Sequence, residues 1–312
     1  MGIQGLLPLL KSIHEHRKLS DFSGKTLAVD GYVWLHRGVY SCAAQLVNGE
    51  PTTRYVDFAM SRIRLLLHHN ITPYVVFDGG PLPAKRITES RRRQSRQEHR
   101  EVAMCLLQQG KNNEAYEHLA KAVDVSPELA YQFIKALRAH RVPYIVAPYE
   151  ADAQLAFLEI NSTVDGIITE DSDLLVFGCK LVLFKLDSDG NCMCIRRNRF
   201  STVREISLHG WTDQQFRHMA ILAGCDYLPS IPGLGLKTSH RLLRKYKTVE
   251  RVLQAIRAQS RLKIPPNYLE DFRTAELAFI RQRVYDPDSG RLVCLTLDSI
   301  PIEQGCERFI GE

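Results

Sequence analysis

Long apolar runs are missing from this chain. Nowhere do about 18 consecutive apolar residues occur, the minimum for a membrane-spanning helix. No secretory segment is expected at the start, since Leu6 to Leu10 is too short for a signal core and runs into Lys11, His14, His16 and Arg17. Met1-Gly2 opens like an acylation signal, but Leu6 stands where Ser or Thr is needed. The eight cysteines (Cys42, Cys105, Cys179, Cys192, Cys194, Cys225, Cys294 and Cys306) are scattered, and Cys192-Met-Cys194 lacks a second pair. Neither a disulfide framework nor a structural zinc site is expected, and the thiols read as reduced. Repeats and low-complexity linkers are absent too.

The 312 residues suffice for one large domain with a buried core. Their 45% hydrophobic and 24% charged content is that of an ordinary globular protein. Forty-one basic residues against 35 acidic ones give a net charge of +6, a small excess that matters only where it is clustered. Short β-prone runs recur at Thr26 to Asp30, Pro73 to Asp78, Pro143 to Ala147, Gly166 to Thr169 and Leu181 to Leu186. Helical stretches lie between most of them, among them Pro51 to His69 and the stretch from the Ser126 N-cap, with Pro127 in its first turn, to His140. This alternation predicts an α/β fold with a mainly parallel central sheet and helices on both faces. The expected organisation is a core in two parts, 1–80 and 126–210, interrupted by a basic helical insertion at 81–125. A helical region follows at 211–285, and a C-terminal extension at 286–312 packs back on the core.

Acidic residues sit at corresponding places along these strands. Asp30 and Asp78 end two of them, Glu150 and Asp152 follow a third, and Asp171 and Asp173 follow a fourth. In open α/β sheets the ligand crevice lies outside the carboxyl ends of parallel strands. Adjacent strands would therefore deliver six carboxylates to one crevice, with Asp226 a seventh candidate. Such a cluster cannot remain as bare anions, because repulsion forces protons onto several members. Hard divalent cations resolve this: magnesium takes oxygen ligands, and two ions roughly 3.5–4 Å apart stabilise both oxygens of a phosphoryl displacement. For any one acid, a turn or cap role weighs about evenly with the functional one. Asp187-Ser-Asp189-Gly190 reads as a solvated hairpin turn and is left outside the site.

The insertion carries Lys85, Arg86, Arg91, Arg92, Arg93, Arg96 and Arg100 against Glu89 and Glu98. Lys85, Arg92 and Arg96 fall close to one helical face, suited to phosphate, although a solvated helix is the usual meaning of a charge run. Tyr32 and His36 share a face four residues apart, where they could stack on a base or simply pack. Ile231-Pro-Gly-Leu-Gly235, followed by Lys237, Arg241, Arg244, Lys245 and Lys247, reads as a turn whose glycines and helix N-terminus admit a duplex phosphate.

Met-Gly-Ile-Gln-Gly-Leu-Leu, Val-Phe-Asp78-Gly, Ala147-Pro-Tyr-Glu150-Ala-Asp152-Ala-Gln, Thr169-Glu-Asp171-Ser-Asp173-Leu-Leu and Gly224-Cys-Asp226-Tyr resemble, in order, the flap-endonuclease superfamily of 5′ nucleases. Asp30-Gly-Tyr-Val-Trp-Leu-His36-Arg-Gly and Leu175-Val-Phe-Gly-Cys-Lys180 are most similar to its exonuclease branch of mismatch repair and end resection. The short insertion fits that branch, and the core is then of the PIN-like 5′-nuclease type with a helical arch. The resemblance implies a magnesium-dependent 5′→3′ double-stranded DNA exonuclease that also cuts 5′ flaps. Two Mg2+ ions, replaceable by Mn2+, would be held by Asp30, Asp78, Glu150, Asp152, Asp171, Asp173 and Asp226, some through water. Lys85 and Arg92 would act on the scissile phosphate beside Asp30 and Asp173. Gly2, Tyr32, His36, Arg93, Arg96, Gly233, Gly235 and Lys237 would contact DNA, and K+ would sit near Ser230 and Gly235 in a helix–two-turn–helix.

Expected partners are duplex DNA with 5′ ends, nicks, gaps or flaps, and mismatch-repair proteins through a tail not recognisable here. A nuclear, monomeric protein is the corresponding expectation. The alternatives are a flap endonuclease proper and a catalytically silent DNA-binding scaffold; a phosphatase using Asp171 as nucleophile is more distant.

Overall fold

Four neighbouring parallel strands fix where the acids go. The computed structural model describes residues 2–259, 262–296 and 307–311. Its strands are β1 (Glu15–Lys18), β2 (Thr26–Asp30), β3 (Thr72–Phe77), β4 (Tyr144–Val146), β5 (Gly166–Ile168), β6 (Leu181–Phe184), β7 (Asn191–Arg196), β8 (Arg283–Asp286) and β9 (Arg291–Cys294). The main sheet has seven strands in the order β1-β7-β6-β5-β2-β3-β4. From β6 to β4 every pairing is parallel, while β7 and β1 join antiparallel at one edge. The fold is thus the α/β class expected. The pair β1 and β7, and the separate β8–β9 hairpin, have no counterpart among the strands read from the sequence.

The longer helices are α1 (Gly31–Val39), α2 (Arg54–His68), α3 (Arg86–Gln108), α4 (Asn112–Ala122), α5 (Pro127–Ala139), α6 (Ala151–Ile160), α7 (Asp213–Ala223), α8 (Leu236–Tyr246), α9 (Val249–Gln259) and α10 (Tyr268–Ile280). Alternation along β2 sorts them onto the two faces, since successive strand residues point to opposite sides. Leu27 and Val29 pack in one apolar cluster with Trp34 of α1, Ile63 of α2 and Phe133 of α5. Ala28 packs in the other with Leu155 of α6, Met219 of α7 and Phe279 of α10. Both faces are covered, as a parallel sheet requires.

Residues 81–125 stand out from this body. Only Ala103 of α3 is buried, so a polar helix survives by packing on α4 across the Gly110 turn, where φ is +74°. His99 Nδ1 lies 2.9 Å from His118 Nδ1 between the two helices, and the Tyr116 hydroxyl donates to the Tyr40 carbonyl at 2.6 Å. In the C-terminal part, α7 begins with a reciprocal Thr212–Gln215 capping box. The β8–β9 hairpin is fastened to α6 by Gln154, which donates to the Tyr285 carbonyl at 2.7 Å and accepts from its amide at 2.8 Å. Of the extension expected at 286–312, residues 297–306 and Glu312 lie outside the described residues.

Candidate active site

The four strand ends empty into one cup. Asp30 is the last residue of β2 and caps α1: one carboxylate oxygen accepts from the Val33 amide at 3.1 Å, the other from the Thr169 hydroxyl at 3.1 Å. Asp78 follows β3 and accepts from the Ala151 amide at 2.7 Å, which serves the N-terminus of α6. Glu150 is the residue before α6 and Asp152 lies in its first turn. Past β5, a bend and a turn into the next helix bring Thr169, Asp171 and Asp173 inward, while Glu170 turns out to Arg37 at 3.3 Å. The Asp173 amide donates to Asp171 and the Ile3 amide to Asp173, both at 2.9 Å. Asp226 arrives from the loop after α7.

Burial and mutual repulsion show in the acid strengths. Burial, then the Asp78 and Asp171 charges, raise the Asp30 carboxyl to about 7 despite its two hydrogen bonds. Burial likewise raises Asp78 and Asp171, and pushes Asp152 and Asp173 well above the carboxylate range, with Asp171 adding to both. Glu159, on the far side of α6, is a buried acid of another kind: it accepts from the Lys180 and Leu181 amides at 3.0 and 3.1 Å and takes no part in the cup.

Two cations from the insertion reach in. Lys85 Nζ pairs with Glu150 and, at 3.1 Å, with Asp226; burial opposes its charge, but Glu150, Asp226 and Asp152 outweigh it and hold the ammonium well above its usual pKa. Arg92 contacts Asp226 at 2.6 Å and Glu89 at 3.3 Å. The Thr88 hydroxyl donates to the Asp226 carbonyl at 2.6 Å, fixing the first turn of α3 over the cup. Arg96, on the same face, pairs with the exposed Asp124 at 3.3 Å. Arg93 lies apart from these: with Arg86 it lines a cavity of about 550 Å3 against Pro81, Leu82 and Pro83 on the flank of the arch base.

Tyr32 and His36 flank the opening on α1. Tyr32 stands edge-on to Phe77 at 6.4 Å, and burial with the Asp78 charge raises its phenol to about 12. The His36 ring is open on one side; protein crowded around it, with Arg92 and Arg96, lowers its pKa. Gly2 sits against Asp171 and Ser172 at φ +84°, and a Cβ there would come within 2.4 Å of Ser172 Oγ and 2.5 Å of the Asp171 carboxylate. In the hairpin loop Gly233 needs its φ of +88°. Gly235 does not: at φ −94° it precedes α8, and a side chain there would meet open space. Ser230, Lys237, Arg241, Arg244, Lys245 and Lys247 are exposed, and these cations make no ion pair among the described residues.

The donor set suits a hard divalent cation: oxygen dominates, with the Cys225 thiol beside Asp226 the soft group that borders it among the described residues. Among the described residues no three His, Cys, Asp or Glu side chains already stand spaced to enclose a metal. Magnesium, which keeps several waters and uses one or two carboxylates, does not need such a cage. Thr169, Thr88, Tyr227 and Gln282 also bear on the acids without having been singled out from the sequence. Thr169 sat inside a quoted motif; Gln282 left no signal.

This sheet, cup and arch define an α/β protein whose parallel strands end in an acidic cup beneath two arch cations. The XPG N-terminal domain pattern matches residues 1–99 and the XPG I-region pattern residues 141–226. The chain belongs to the XPG family, and nearly its whole length is similar to exonuclease 1 proteins. It is 45% identical to exodeoxyribonuclease 1 of Schizosaccharomyces pombe, over 100% of this chain and 54% of the relative. It is 46% identical to exonuclease 1 of Arabidopsis thaliana, over 95% of this chain and 40% of the relative. A shorter relative, the DNA damage-inducible protein DIN7 of Saccharomyces cerevisiae, is 41% identical, and the match covers 96% of this chain and 70% of that protein. The chain thus spans about half or less of the exonuclease relatives. In fold it resembles the catalytic core of Rad2 in complex with DNA substrate, with a TM-score of 0.68 at 18% identity over 94% of this chain and 90% of that one. Flap endonuclease-1 from Methanococcus jannaschii gives 0.59 at 23% identity, over 87% and 83%.

Proposed function

We propose that the chain is a divalent-metal-dependent 5′→3′ exonuclease of double-stranded DNA that also cuts 5′ flaps, hydrolysing the phosphodiester to leave a 5′-phosphate. One observation carries this reading: seven carboxylates from four strand ends and one loop converge under two arch cations. Mg2+, with Mn2+ as substitute, is the proposed cofactor, held by Asp30, Asp78, Glu150, Asp152, Asp171, Asp173 and Asp226, directly or through water. When bound, it supplies the positive charge that activates an attacking water and offsets charge on the leaving oxygen.

The chain's own groups do the rest. Lys85 and Arg92 exchange their carboxylate partners for the scissile phosphate and stabilise charge on it. Tyr32 and His36 take up unpaired terminal nucleotides, with Gly2 at the threshold and Arg93 and Arg96 on the strand's path. Gly233, Gly235 and Lys237 hold the duplex backbone beyond, with K+ near Ser230 and Gly235. The same proposal includes a nuclear role in mismatch repair and end resection, with mismatch-repair proteins as partners and a monomer as the working unit.

The test is a labelled duplex with a recessed 5′ end plus Mg2+. Nucleotide release that needs the metal, and is lost in Asp173→Ala while DNA binding persists, supports the proposal. A scaffold would give neither release nor any change on substitution. Product sizes from blunt and flapped substrates separate exonuclease from flap endonuclease.

A further inference from the structure

We propose that Gln282 and Tyr227 are positioning residues that lock the Glu150 carboxylate so that it offers a single oxygen to the cup. The Tyr227 hydroxyl donates to Glu150 Oε2 at 2.6 Å, and Gln282 Nε2 donates to the same oxygen at 2.9 Å. The same amide nitrogen lies 2.9 Å from the Tyr227 hydroxyl. The three groups form a triangle in which the phenol donates to the carboxylate and accepts from the amide.

The amide orientation is dictated rather than arbitrary. Turned over, Gln282 Oε1 would face a carboxylate oxygen and leave it without its second donor; as placed, Oε1 is buried without a partner. Gln282 is fully buried, and Glu150 is 8% exposed, so water does not substitute for these donors. With Oε2 saturated, Oε1 alone remains for Lys85, and for a cation that takes its place.

Gln282 comes from the connection between α10 and β8, outside both stretches matched by the family patterns. A purely architectural role is already filled: the hairpin is fastened to α6 by Gln154, and the Gln282 carbonyl, not its side chain, accepts from the Leu295 amide at 3.0 Å. What the Gln282 side chain adds is aim. Groups that orient a metal-binding carboxylate act on affinity and rate through it.

This inference rests on the nuclease reading, and its test separates the two. Mn2+ and Mg2+ binding to the DNA-free protein is measured by calorimetry for Gln282→Met, Tyr227→Phe and Glu150→Gln, together with duplex affinity and cleavage kinetics. Each of the first two variants is expected to weaken metal binding roughly 10–100-fold. It should lower kcat with KM for DNA little changed, and regain rate as metal is raised. In a Glu150→Gln background, Gln282→Met should add nothing to the metal deficit, because its effect runs through that carboxylate. Tyr227→Phe, which keeps the packing, carries the test if Gln282→Met fails to fold. Unchanged metal affinity in a protein whose cleavage is still abolished by Asp173→Ala overturns this inference alone, as does an equal effect with and without Glu150. Full cleavage by Asp173→Ala overturns the nuclease reading and this inference with it.

Discussion

Asp30→Asn is expected to stabilise the metal-free protein and abolish its cleavage. The carboxyl of Asp30 rises from its ordinary 3.8 to about 7 in the fold, chiefly through burial and then the Asp78 charge. The sign follows from proton counting: between those two values the folded state holds a proton that the unfolded state has lost. Stability therefore falls as pH rises from about 4 to about 7, the reverse of a salt-bridged carboxylate, and is flat above. At about 1.4 kcal/mol per unit, the penalty near pH 8 is about 4 kcal/mol; about half remains near pH 5.5 and little near pH 4. Asn removes it while keeping an oxygen for the Val33 amide, and the Thr169 hydroxyl can accept from the new NH2 group. Urea unfolding in EDTA of both proteins near pH 8, 5.5 and 4 measures the difference. A gain that shrinks with falling pH supports the electrostatic account. A variant no more stable near pH 8, or one whose gain is the same at every pH, refutes it.

Other outcomes follow from the same geometry. Arg92→Ala should slow cleavage roughly 10²-fold or more while shifting DNA affinity little, because its partner Asp226 lies in the cup; single-turnover rates beside filter-binding affinities check this, and a change in affinity alone removes its assigned role. Lys237→Ala should weaken duplex binding and reduce the slope of log K against log salt by about 1, leaving the saturated rate intact. Gly2→Ala forces a side chain at φ +84° into the Ser172 hydroxyl, the Asp171 carboxylate and the Ser172 amide and should cost about 1–3 kcal/mol, with a matching loss of activity seen in thermal melts and rates. Mg2+ should raise the melting temperature more near pH 8 than near pH 5.5, since it competes with protons for the raised carboxyls.

The strands that deliver the acids were legible because each is a short β-prone run followed within a few residues by a carboxylate, whereas their adjacency is seen only in the folded sheet. β1 was not: Glu-His-Arg-Lys has no apolar alternation, being an edge strand exposed at three of its four residues. The turn before β7 was legible in Asp187-Ser-Asp189-Gly190, yet the returning strand was obscured because Cys192 and Cys194 were weighed as ligands rather than as buried strand residues. Lys85 and Arg92 stood out as cations for phosphate, but spacing cannot report that without substrate they rest on Glu150 and Asp226. Arg93, one residue on, turns to the flank cavity, a difference a charge run does not encode. Gln282 is the clearest limit. It lies 132 residues from Glu150, in no motif, and only the folded chain brings the two together.

Charge balance explains why arch and cup must be built from one chain. Seven carboxylates facing two cations leave a deficit that protonation covers in part, as the raised Asp30, Asp152 and Asp173 acidities record. Two divalent ions would nearly close that deficit with Lys85 and Arg92 still in place. A phosphate then adds negative charge beside Lys85, whose side chain is only 15% exposed, so moving that ammonium from carboxylate to phosphate costs little hydration, while Arg92 is half-buried. Placing Lys85 and Arg92 at the foot of α3, with Thr88 anchoring that foot to the Asp226 carbonyl, keeps the exchange short. Under the proposed function, the exposed remainder of the arch would be free to follow a DNA strand without dragging Lys85 and Arg92 away from the acids.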